Sequence, residues 1–550
     1  MLIRIKEFEI QNSRFDIYLF RSSFLNMSKS ELKKVGIASL IMMDSIFLSR
    51  LIGLFREMVI AYVAGASGDV DAYQVAFIIP EILNHIVASG FLSITFIPIF
   101  SKYLVNNNEE EGLHVFSIIL TTFGTLLLVL LVLACIFAPL LVSLLAPGLK
   151  DPLLKANAAK MTRIIIPAQF FFFSGGLFSA VQFAKEKFFI PALAPLIYNS
   201  GIIAGGLLLG PVLGIEGFAW GVLAGAFLGN FVLQYYGAKK AGLKYKVVFD
   251  IFHHDFKKYI LLTLPLMLGI TMTFSTEFFL RFFGSFLPKG SIAGLNYGLR
   301  IMFLLVGLFG QAVGVASFPY LARLTAENKM DEMNRLLNNT LKILSLVIPL
   351  SAVLMALRHE VVFMLFQRGK FDTSATELTS EVLIYLLAGA YAFSAQTIVA
   401  RGYYAVSNTL FPAVFGTLAV ILSIPLYFLG MKAMGVKGVS LAISVSAFLQ
   451  VGLIYAIWNR QSKNAESKSV YGFIFKLICL SAIIGFALEL LKNQIYAYFN
   501  STTFIGCMIV SVVVGLAFIF MLLALGKLFK IEELRIIIDK VVAFFRKWLD

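Results

Sequence analysis

The sequence predicts an all-α integral membrane protein of about 14 transmembrane helices, built from two parallel six-helix repeats and two further C-terminal helices. Composition is the first observation behind this prediction, because 59% of the 550 residues are hydrophobic and only 14% are charged. The mean hydropathy of +0.87 excludes both an ordinary soluble enzyme and a disordered chain. The second observation is a long series of apolar stretches, each near the roughly 20 residues that a helix needs to cross a bilayer.

Candidate spans follow from cutting the apolar stretches at glycines, prolines and charge clusters. They are 35–64, 72–100, 115–145, 160–184, 189–210, 215–237, 258–287, 291–321, 339–366, 380–405, 409–430, 435–458, 470–491 and 502–528. Because their number is even, both termini are predicted on the same side of the membrane.

An internal repeat with an offset of 221 residues organises these spans. The residues in register are Pro98 and Pro319, Pro191 and Pro412, Gly214 and Gly435, and Gly217 and Gly438. Six spans per repeat give two lobes of the same orientation, 35–237 and 258–458, followed by two extra spans within 459–528. Such a repeat is typical of transporters with a substrate site between the lobes.

Lysine and arginine are enriched in segments that the span order places on one side of the membrane. These segments are the N-terminal 1–34, the linker 238–257 and the tail 529–550, whereas the connections 65–71 and 210–216 contain neither residue type. The positive-inside rule therefore predicts a cytoplasmic linker and two cytoplasmic termini. Apolar residues recur at helical spacing in 529–550, which predicts an amphipathic helix on the membrane surface.

The sequence gives little evidence for a metal site, a disulfide or nucleic-acid binding. The three cysteines lie in apolar runs without CxxC spacing, and the five histidines form no HExxH pattern. Although the formal net charge is +15, its basic residues lie mostly in loops, as the orientation of a membrane protein requires. We therefore expect no metal, no bound cofactor and no nucleic-acid partner.

Charged residues inside the first predicted span point to a functional site. This span contains Asp44, Arg50, Arg56 and Glu57, and an ionised side chain at the bilayer centre costs about 2.5–3.5 kcal/mol on insertion scales. Arg50 and Glu57 are seven residues apart and so share a helix face. One alternative is that these groups only neutralise one another or Glu81 of the next span.

Further polar residues extend this pattern into the second span and the second repeat. Asp71, Asn84 and His85 accompany the second span, and Arg300 lies well inside an apolar stretch. His85 by itself fits an ordinary hydrogen-bonded histidine better than a proton relay. Arginines that face one cleft would suit a phosphate or diphosphate, which accepts forked hydrogen bonds.

Six motifs in a fixed order give the sequence a family resemblance. They are SRLIGLFRE (49–57), DAYQVAFIIP (71–80), GIEGFAWGV (214–222), GSIAGLNYGLR (290–300), LFQRGKF (365–371) and RGYYAVSNTLFP (401–412). Over about 35–460 the chain resembles the MurJ (MviN) family of lipid II flippases, within the multidrug/oligosaccharidyl-lipid/polysaccharide exporter superfamily. The resemblance implies outward transport, through the inner membrane of a bacterium, of an undecaprenyl-diphosphate-linked disaccharide-pentapeptide for peptidoglycan synthesis.

The same resemblance implies particular site residues and partners. The family's cationic cavity matches Arg50, Arg56 and Arg300, and its acidic position in the second span matches Asp71. We also assign Glu57, Asn84 and His85 to substrate binding. Lipid II, membrane lipids and cell-wall synthesis proteins are the expected partners, and the membrane potential or a Na⁺ or H⁺ gradient is the expected energy source.

Three departures from the family pattern bear on these assignments. LNHIVASG (83–90) replaces LRRxFAEG, so that Asn84 and His85 stand in place of two basic residues. Glu57 replaces an aspartate. Asn408 replaces the aspartate of FYAxxDT, so that a sodium site in the second lobe would lack this carboxylate, and Asn408 is only a weak candidate for ion coupling.

Alternative functions remain open from the sequence. Within transport these are a flippase for another polyprenyl-diphosphate-linked saccharide and a cation-coupled exporter of amphipathic drugs, although the latter would favour an acidic cavity. A polyprenyl-dependent glycosyltransferase would need a large outer loop with catalytic acids, and the predicted outer loops are short. The last alternative is a scaffold of the wall-synthesis complex that transports nothing.

Overall fold

The computed structural model describes residues 29–85, 91–268, 271–406, 408–497 and 503–528. Within these ranges the chain is almost entirely helical and contains no β-strand, which confirms the predicted all-α class. The predicted amphipathic helix in 529–550 and residues 86–90 of the LNHIVASG motif lie outside the described residues.

Of the 23 α-helices that the described residues form, eleven precede residue 269. They are α1 (Lys29–Ala64), α2 (Gly68–Ala76), α3 (Ile78–Leu83), α4 (Phe91–Val105), α5 (Glu109–Leu145), α6 (Pro152–Ile165), α7 (Ala168–Ala184), α8 (Phe189–Leu213), α9 (Glu216–Ala226), α10 (Leu233–Lys240) and α11 (His254–Leu268). A π-helical turn, Phe227–Val232, joins α9 to α10 without a break in the helix.

Twelve α-helices follow residue 270. They are α12 (Thr271–Gly284), α13 (Ser291–Val306), α14 (Ala312–Ala326), α15 (Met330–Leu344), α16 (Val347–Ala356), α17 (Arg358–Phe366), α18 (Thr373–Ala388), α19 (Ala390–Ala405), α20 (Leu410–Met434), α21 (Val436–Gln461), α22 (Ser467–Ile495) and α23 (Phe504–Leu528). A second π-helical turn, Gly307–Gln311, joins α13 to α14.

The chain divides into two compact units. Described residues 29–63 and 72–268 form the first unit, and 64–71 together with 271–528 form the second. The second unit therefore includes a short segment from the N-terminal half of the chain.

The predicted count of 14 spans is not confirmed. Ten helical segments among the described residues are long and apolar enough to cross a membrane, or 11 if α18 and α19, which meet at a bend of 41°, form one span. The other three predicted spans are 35–64, 72–100 and 258–287. The first of these lies in α1 and contains four charged residues, the second is interrupted by a turn at Phe77, and the described part of the third lies in α11 and α12.

Helix boundaries reproduce the 221-residue repeat. Helix α8 spans Phe189–Leu213 and α20 spans Leu410–Met434, so both ends of the two helices are 221 residues apart. Each helix ends at a glycine of positive φ, with φ of 60° at Gly214 and 58° at Gly435. Since glycine adopts positive φ at little cost, these residues end both helices in the same way.

The two C-terminal helices pack within the second unit. Leu477 and Ile484 of α22 and Val510 and Val514 of α23 are fully buried, in one cluster with Val353 of α16. Outward-facing side chains of α23 such as Ile505 and Phe520 are instead exposed, as expected of a helix that contacts lipid on one side.

An ionic network fixes α22 to the segment between α16 and α17. Arg358 binds Glu489 through two parallel hydrogen bonds of 2.9 and 3.1 Å. The buried Lys492 donates to the carbonyl oxygen of Ala356 at 2.6 Å and lies 3.1 Å from Glu489. Glu360, which is fully buried, interacts electrostatically with both Lys492 and Arg358.

We expect Glu489→Gln to lower the free energy of unfolding by about 3 kcal/mol, because two cations would then share the single acidic group of Glu360. The measurement is the thermal unfolding midpoint in detergent. Glu466→Gln is the matched control, since Glu466 pairs with Arg335 where both side chains are more than half exposed, and an exposed pair contributes about 0–1 kcal/mol. Equal shifts in the two variants would contradict a structural role for this network.

Candidate substrate-binding site

Arg56 and Glu57 form an ion pair on α1 of the first unit. Arg56 Nη2 lies 2.5 Å from Glu57 Oε1, and the side chain of Glu57 is only 2% exposed. Arg56 Nη1 donates to Asn199 Oδ1 of α8 at 3.1 Å, and Asn199 Nδ2 donates to the carbonyl oxygen of Pro195. The alternative in which these charges neutralise one another therefore holds for Arg56 and Glu57, although Arg56 remains 19% exposed.

The remaining predicted residues of the first two spans are less deeply placed. Arg50 is half-buried and Asp44 is exposed on α1. Asn84 and His85 are also half-buried and follow the end of α3. Thus the structure unites Arg56, Glu57 and Asn199 around one ion pair, while Arg50, Asn84 and His85 retain partial exposure.

In the second unit, Arg300 shares a carboxylate with a second arginine. Arg300 of α13 lies 3.3 Å from Glu277 of α12, and Arg281, one turn after Glu277, lies 3.0 Å from its other oxygen. Arg281 is 2% exposed, whereas Arg300 is 28% exposed. Glu277 thus pairs with two arginines, and Arg300 is the arginine of the two that solvent or a ligand can reach.

Sequence reasoning did not single out Glu277 and Arg281. Both fall inside the predicted span 258–287, so the cost of intramembrane charge that identified Arg50 and Arg56 would also have found them. Their spacing of four residues predicts an ion pair on one helix face. Arg401 was missed in the same way; it is half-buried on α19, and a Cβ at Gly314 would lie 3.1 Å from its Nε.

Asp71 caps a helix of the second unit. Its carboxylate accepts from the backbone N–H groups of Gly290 at 2.5 Å and Ala293 at 2.8 Å, at the start of α13. With an exposed fraction of 4%, it is buried. A carboxylate at a helix N-terminus satisfies free N–H groups and interacts favourably with the helix dipole, so Asp71 is occupied by backbone.

The segment 64–71 contacts two further motifs of the second unit. Tyr297 of α13 donates its hydroxyl to the carbonyl oxygen of Gly65 at 2.9 Å. A Cβ at Gly65 would lie 2.4 Å from the carbonyl oxygen of Lys370, and one at Gly290 would lie 2.2 Å from that of Ala66. The motifs DAYQVAFIIP, GSIAGLNYGLR and LFQRGKF therefore share a structural contact.

Asn408 also has a local structural role. Its Oδ1 accepts from the backbone N–H of Phe411 at 3.1 Å at the start of α20. The side chain therefore caps this helix, as asparagine commonly does. Among the described residues, no group of three or more His, Cys, Asp or Glu side chains is arranged to hold a metal ion.

Comparison with known proteins agrees with this fold and these motifs. Residues 60–523 match the family described as lipid II flippase MurJ. A probable lipid II flippase MurJ from Thermotoga maritima is 28% identical over 494 residues, which cover 90% of this chain and 96% of the relative.

Solved structures show the same fold. A lipid II flippase MurJ in an inward closed conformation matches with a TM-score of 0.71 and 25% identity, over 89% of this chain and 99% of the other. An inward-facing multidrug resistance MATE family transporter of the MOP superfamily matches with a TM-score of 0.64 over 76% of this chain and 96% of the other. Its identity of 14% supports similarity of fold alone.

Proposed function

Because the chain belongs to the MurJ family of lipid II flippases, we propose that it moves lipid II from the inner to the outer leaflet. The family and the apolar helices make it a multi-pass protein of the bacterial inner membrane. The observation that carries the proposal is the family match over 60–523, which includes Arg300 of the 290–300 motif and most of both units.

We assign the diphosphate to Arg50, Arg56 and Arg300, the arginines that the family resemblance implies. Arg50 and Arg56 lie on α1, and Arg300 lies on α13 beside Glu277 and Arg281. Guanidinium groups bind phosphate oxygens through paired hydrogen bonds. Asn84 and His85 supply polar contacts to the sugar–peptide head group, and Glu57 holds Arg56 in place. Asp71, which is bound to backbone, positions the start of α13 and does not bind the diphosphate.

Alternating access moves the head group while the polyprenyl tail stays in lipid, in contact with α22 and α23. Both termini lie in the cytoplasm in this arrangement, as the lysine and arginine distribution predicts. The inside-negative potential favours outward movement of an anionic head group by about 2.3 kcal/mol per charge per 100 mV. The membrane potential therefore supplies the driving force, and the protein performs no chemical step on its substrate.

Replacement of the resident lipid II flippase in a depletion strain tests this function. We expect the chain to restore growth and to expose lipid II on the outer leaflet, where an impermeant reagent labels it. Collapse of the membrane potential should reduce the labelling. A well-expressed, correctly inserted protein that restores neither growth nor labelling would contradict lipid II as the substrate, and an O-antigen or capsule precursor would be tested next.

The alternative of a cation-coupled drug exporter predicts a different result. Such a protein would confer resistance to amphipathic cations and would not depend on Arg300. Arg281 and Arg300 beside Glu277 oppose it, because these two arginines repel a cationic drug.

A further inference from the structure

A cavity of about 330 Å³ lies within the first unit, apart from the proposed arginine site. Its walls come from α5, α7, the π-helical turn with α10, and the extended chain at 245–249. Ligand pockets in proteins measure about 300–1,000 Å³, so this cavity has room for part of one hydrocarbon chain but not for a whole lipid.

The lining of the cavity is mainly aromatic. Phe170 and Phe178 of α7, Phe231 of the π-helical turn and Tyr235 of α10 all contribute to it. Two of the polar groups in the wall have partners, since Ser174 donates to a carbonyl oxygen of its own helix and the Thr121 hydroxyl lies 3.0 Å from that of Tyr245. The surface offered to a ligand is therefore apolar, and it suits a hydrocarbon chain better than a sugar or an ion.

The cavity meets the surface at which α5 contacts lipid. Leu128 both lines the cavity and is exposed. Val132, Ile136 and Leu140 follow at intervals of four residues and are exposed as well, so they continue the same helix face. A lipid chain can therefore enter sideways from the bilayer.

One wall is a segment of the linker that the sequence predicts on the cytoplasmic side. Tyr245, Val247 and Phe249 alternate along this extended chain and line the cavity. The bond between Tyr245 and Thr121 and a bond of 3.3 Å from Lys246 N to Ser117 Oγ attach the segment to α5. Lys244 and Lys246 alternate with the lining residues and are exposed.

The charge beside the cavity favours an anionic ligand. Two of the three acidic residues that begin α5 lie beside a lysine, since Glu109 binds Lys185 and Glu110 lies 3.7 Å from Lys244. Glu111 lies 3.6 Å from His253, which is charged only when protonated. Lys239 and Lys240 in the last turn of α10 and the exposed Lys246 add further positive charge. Lysines at a membrane surface attract anionic lipid head groups.

We propose that this cavity binds one acyl chain of an anionic phospholipid from the inner leaflet, whose phosphate lies against Lys244 and Lys246. The site is separate from substrate transport and makes the first unit responsive to the lipid composition of the leaflet. A membrane-surface lysine contributes about 1 kcal/mol to this attraction, which corresponds to about a fivefold preference per lysine.

Photolabelling of the full chain in phosphatidylcholine nanodiscs tests the proposal. The probe is phosphatidylglycerol with a diazirine on one acyl chain, compared with the same diazirine in phosphatidylcholine and in a polyprenyl phosphate. We expect peptides that cover 117–128 and 170–178 to be labelled at least about fivefold more by the phosphatidylglycerol probe. Mass spectrometry locates the labels.

Two variants that fill the cavity should remove this labelling. A Cβ at Gly124 would lie 3.4 Å from Phe173 and 3.5 Å from Phe170, which is ordinary contact, so Gly124→Leu can place its side chain in the cavity. Thr125 is an exposed residue of the lining, so Thr125→Phe is the second variant to test if Gly124→Leu does not fold. The control is Gly515→Leu on α23, where nothing lies within 4 Å of the added Cβ.

A charge-reversed variant tests the contribution of the lipid head group separately from that of the acyl chain. Lys244→Glu combined with Lys246→Glu should abolish the preference for phosphatidylglycerol, whereas Lys468→Glu, at another exposed lysine, should preserve it. Equal labelling by both phospholipid probes in the wild-type protein would overturn the proposal in favour of ordinary boundary lipid. Stronger labelling by the polyprenyl probe would overturn it in favour of a substrate-chain site.

Discussion

Arg300→Ala is expected to reduce outward translocation of lipid II by about 10- to 100-fold. The reason is the loss of hydrogen bonds between ionised groups, which contribute about 1.5–3 kcal/mol each, and 1.4 kcal/mol corresponds to a factor of ten. The variant should still fold, because Glu277 keeps its ion pair with Arg281. The measurement is the rate at which lipid II becomes accessible on the outer leaflet at matched expression.

Two controls make the Arg300 result specific. Arg323→Ala removes an exposed arginine that pairs with Glu327 at the end of α14, and it should leave the rate unchanged. Arg300→Lys keeps the charge but loses the paired geometry, so its rate should fall between those of the wild type and Arg300→Ala. A wild-type rate in Arg300→Ala would show that the diphosphate lies elsewhere.

The transport experiment on Arg56 needs a different variant, because the partner of Arg56, Glu57, is buried. Arg56→Ala alone would remove a cationic partner from a buried carboxylate, and the resulting destabilisation would hide any effect on transport. Arg56→Ala combined with Glu57→Gln removes both charges and is the appropriate comparison with Arg300→Ala.

Asp71→Ala is expected to destabilise the second unit by about 3 kcal/mol or more. Two buried N–H groups at the start of α13, those of Gly290 and Ala293, would lose their acceptor, and an unsatisfied buried donor costs about 1–3 kcal/mol. Asp71→Asn keeps one acceptor oxygen, so the loss should be about half as large. Thermal unfolding gives the size of the effect, and hydrogen exchange of 291–300 shows where it occurs.

Asp372→Ala is the matched control for this prediction. Asp372 caps α18 of the same unit through the N–H of Ala375 at 2.8 Å, but it is exposed. Loss of such a cap costs about 1 kcal/mol. If Asp71→Ala shifts the unfolding midpoint no more than Asp372→Ala does, Asp71 is an ordinary cap and does not hold the segment 64–71 in place.

Periodic features of the fold were predictable from the sequence. The length of the apolar stretches predicted the helical class, and the spacing of glycines and prolines predicted the repeat. Gly214 and Gly435, which correspond in the two repeats, have matching backbone conformations. These features are local, since each depends on hydropathy or on the φ preference of one residue. The turn at Phe77 that interrupts the predicted span 72–100 was not predicted, because a run of apolar residues does not reveal where its helix is interrupted.

Partners distant in sequence were harder to predict. A cationic region was expected from Arg300, yet its shared carboxylate Glu277 lies 23 residues away and was recognised only in the structure. Asp71 was assigned to the substrate because it matches the acidic position of the family's second span, whereas the structure pairs it with backbone 219 and 222 residues away. No local pattern distinguishes a carboxylate that binds a ligand from one that caps a remote helix.

The inclusion of 64–71 in the second unit has a consequence for dissecting the protein into halves. A cut in the linker 244–249 would appear to separate two duplicated domains, yet the C-terminal fragment would lack Asp71 and the carbonyl group of Gly65 that binds Tyr297. That fragment would expose the start of α13 when synthesised alone. The C-terminal fragment should therefore fold less stably alone than when it is co-expressed with the N-terminal fragment, which supplies these contacts to α13.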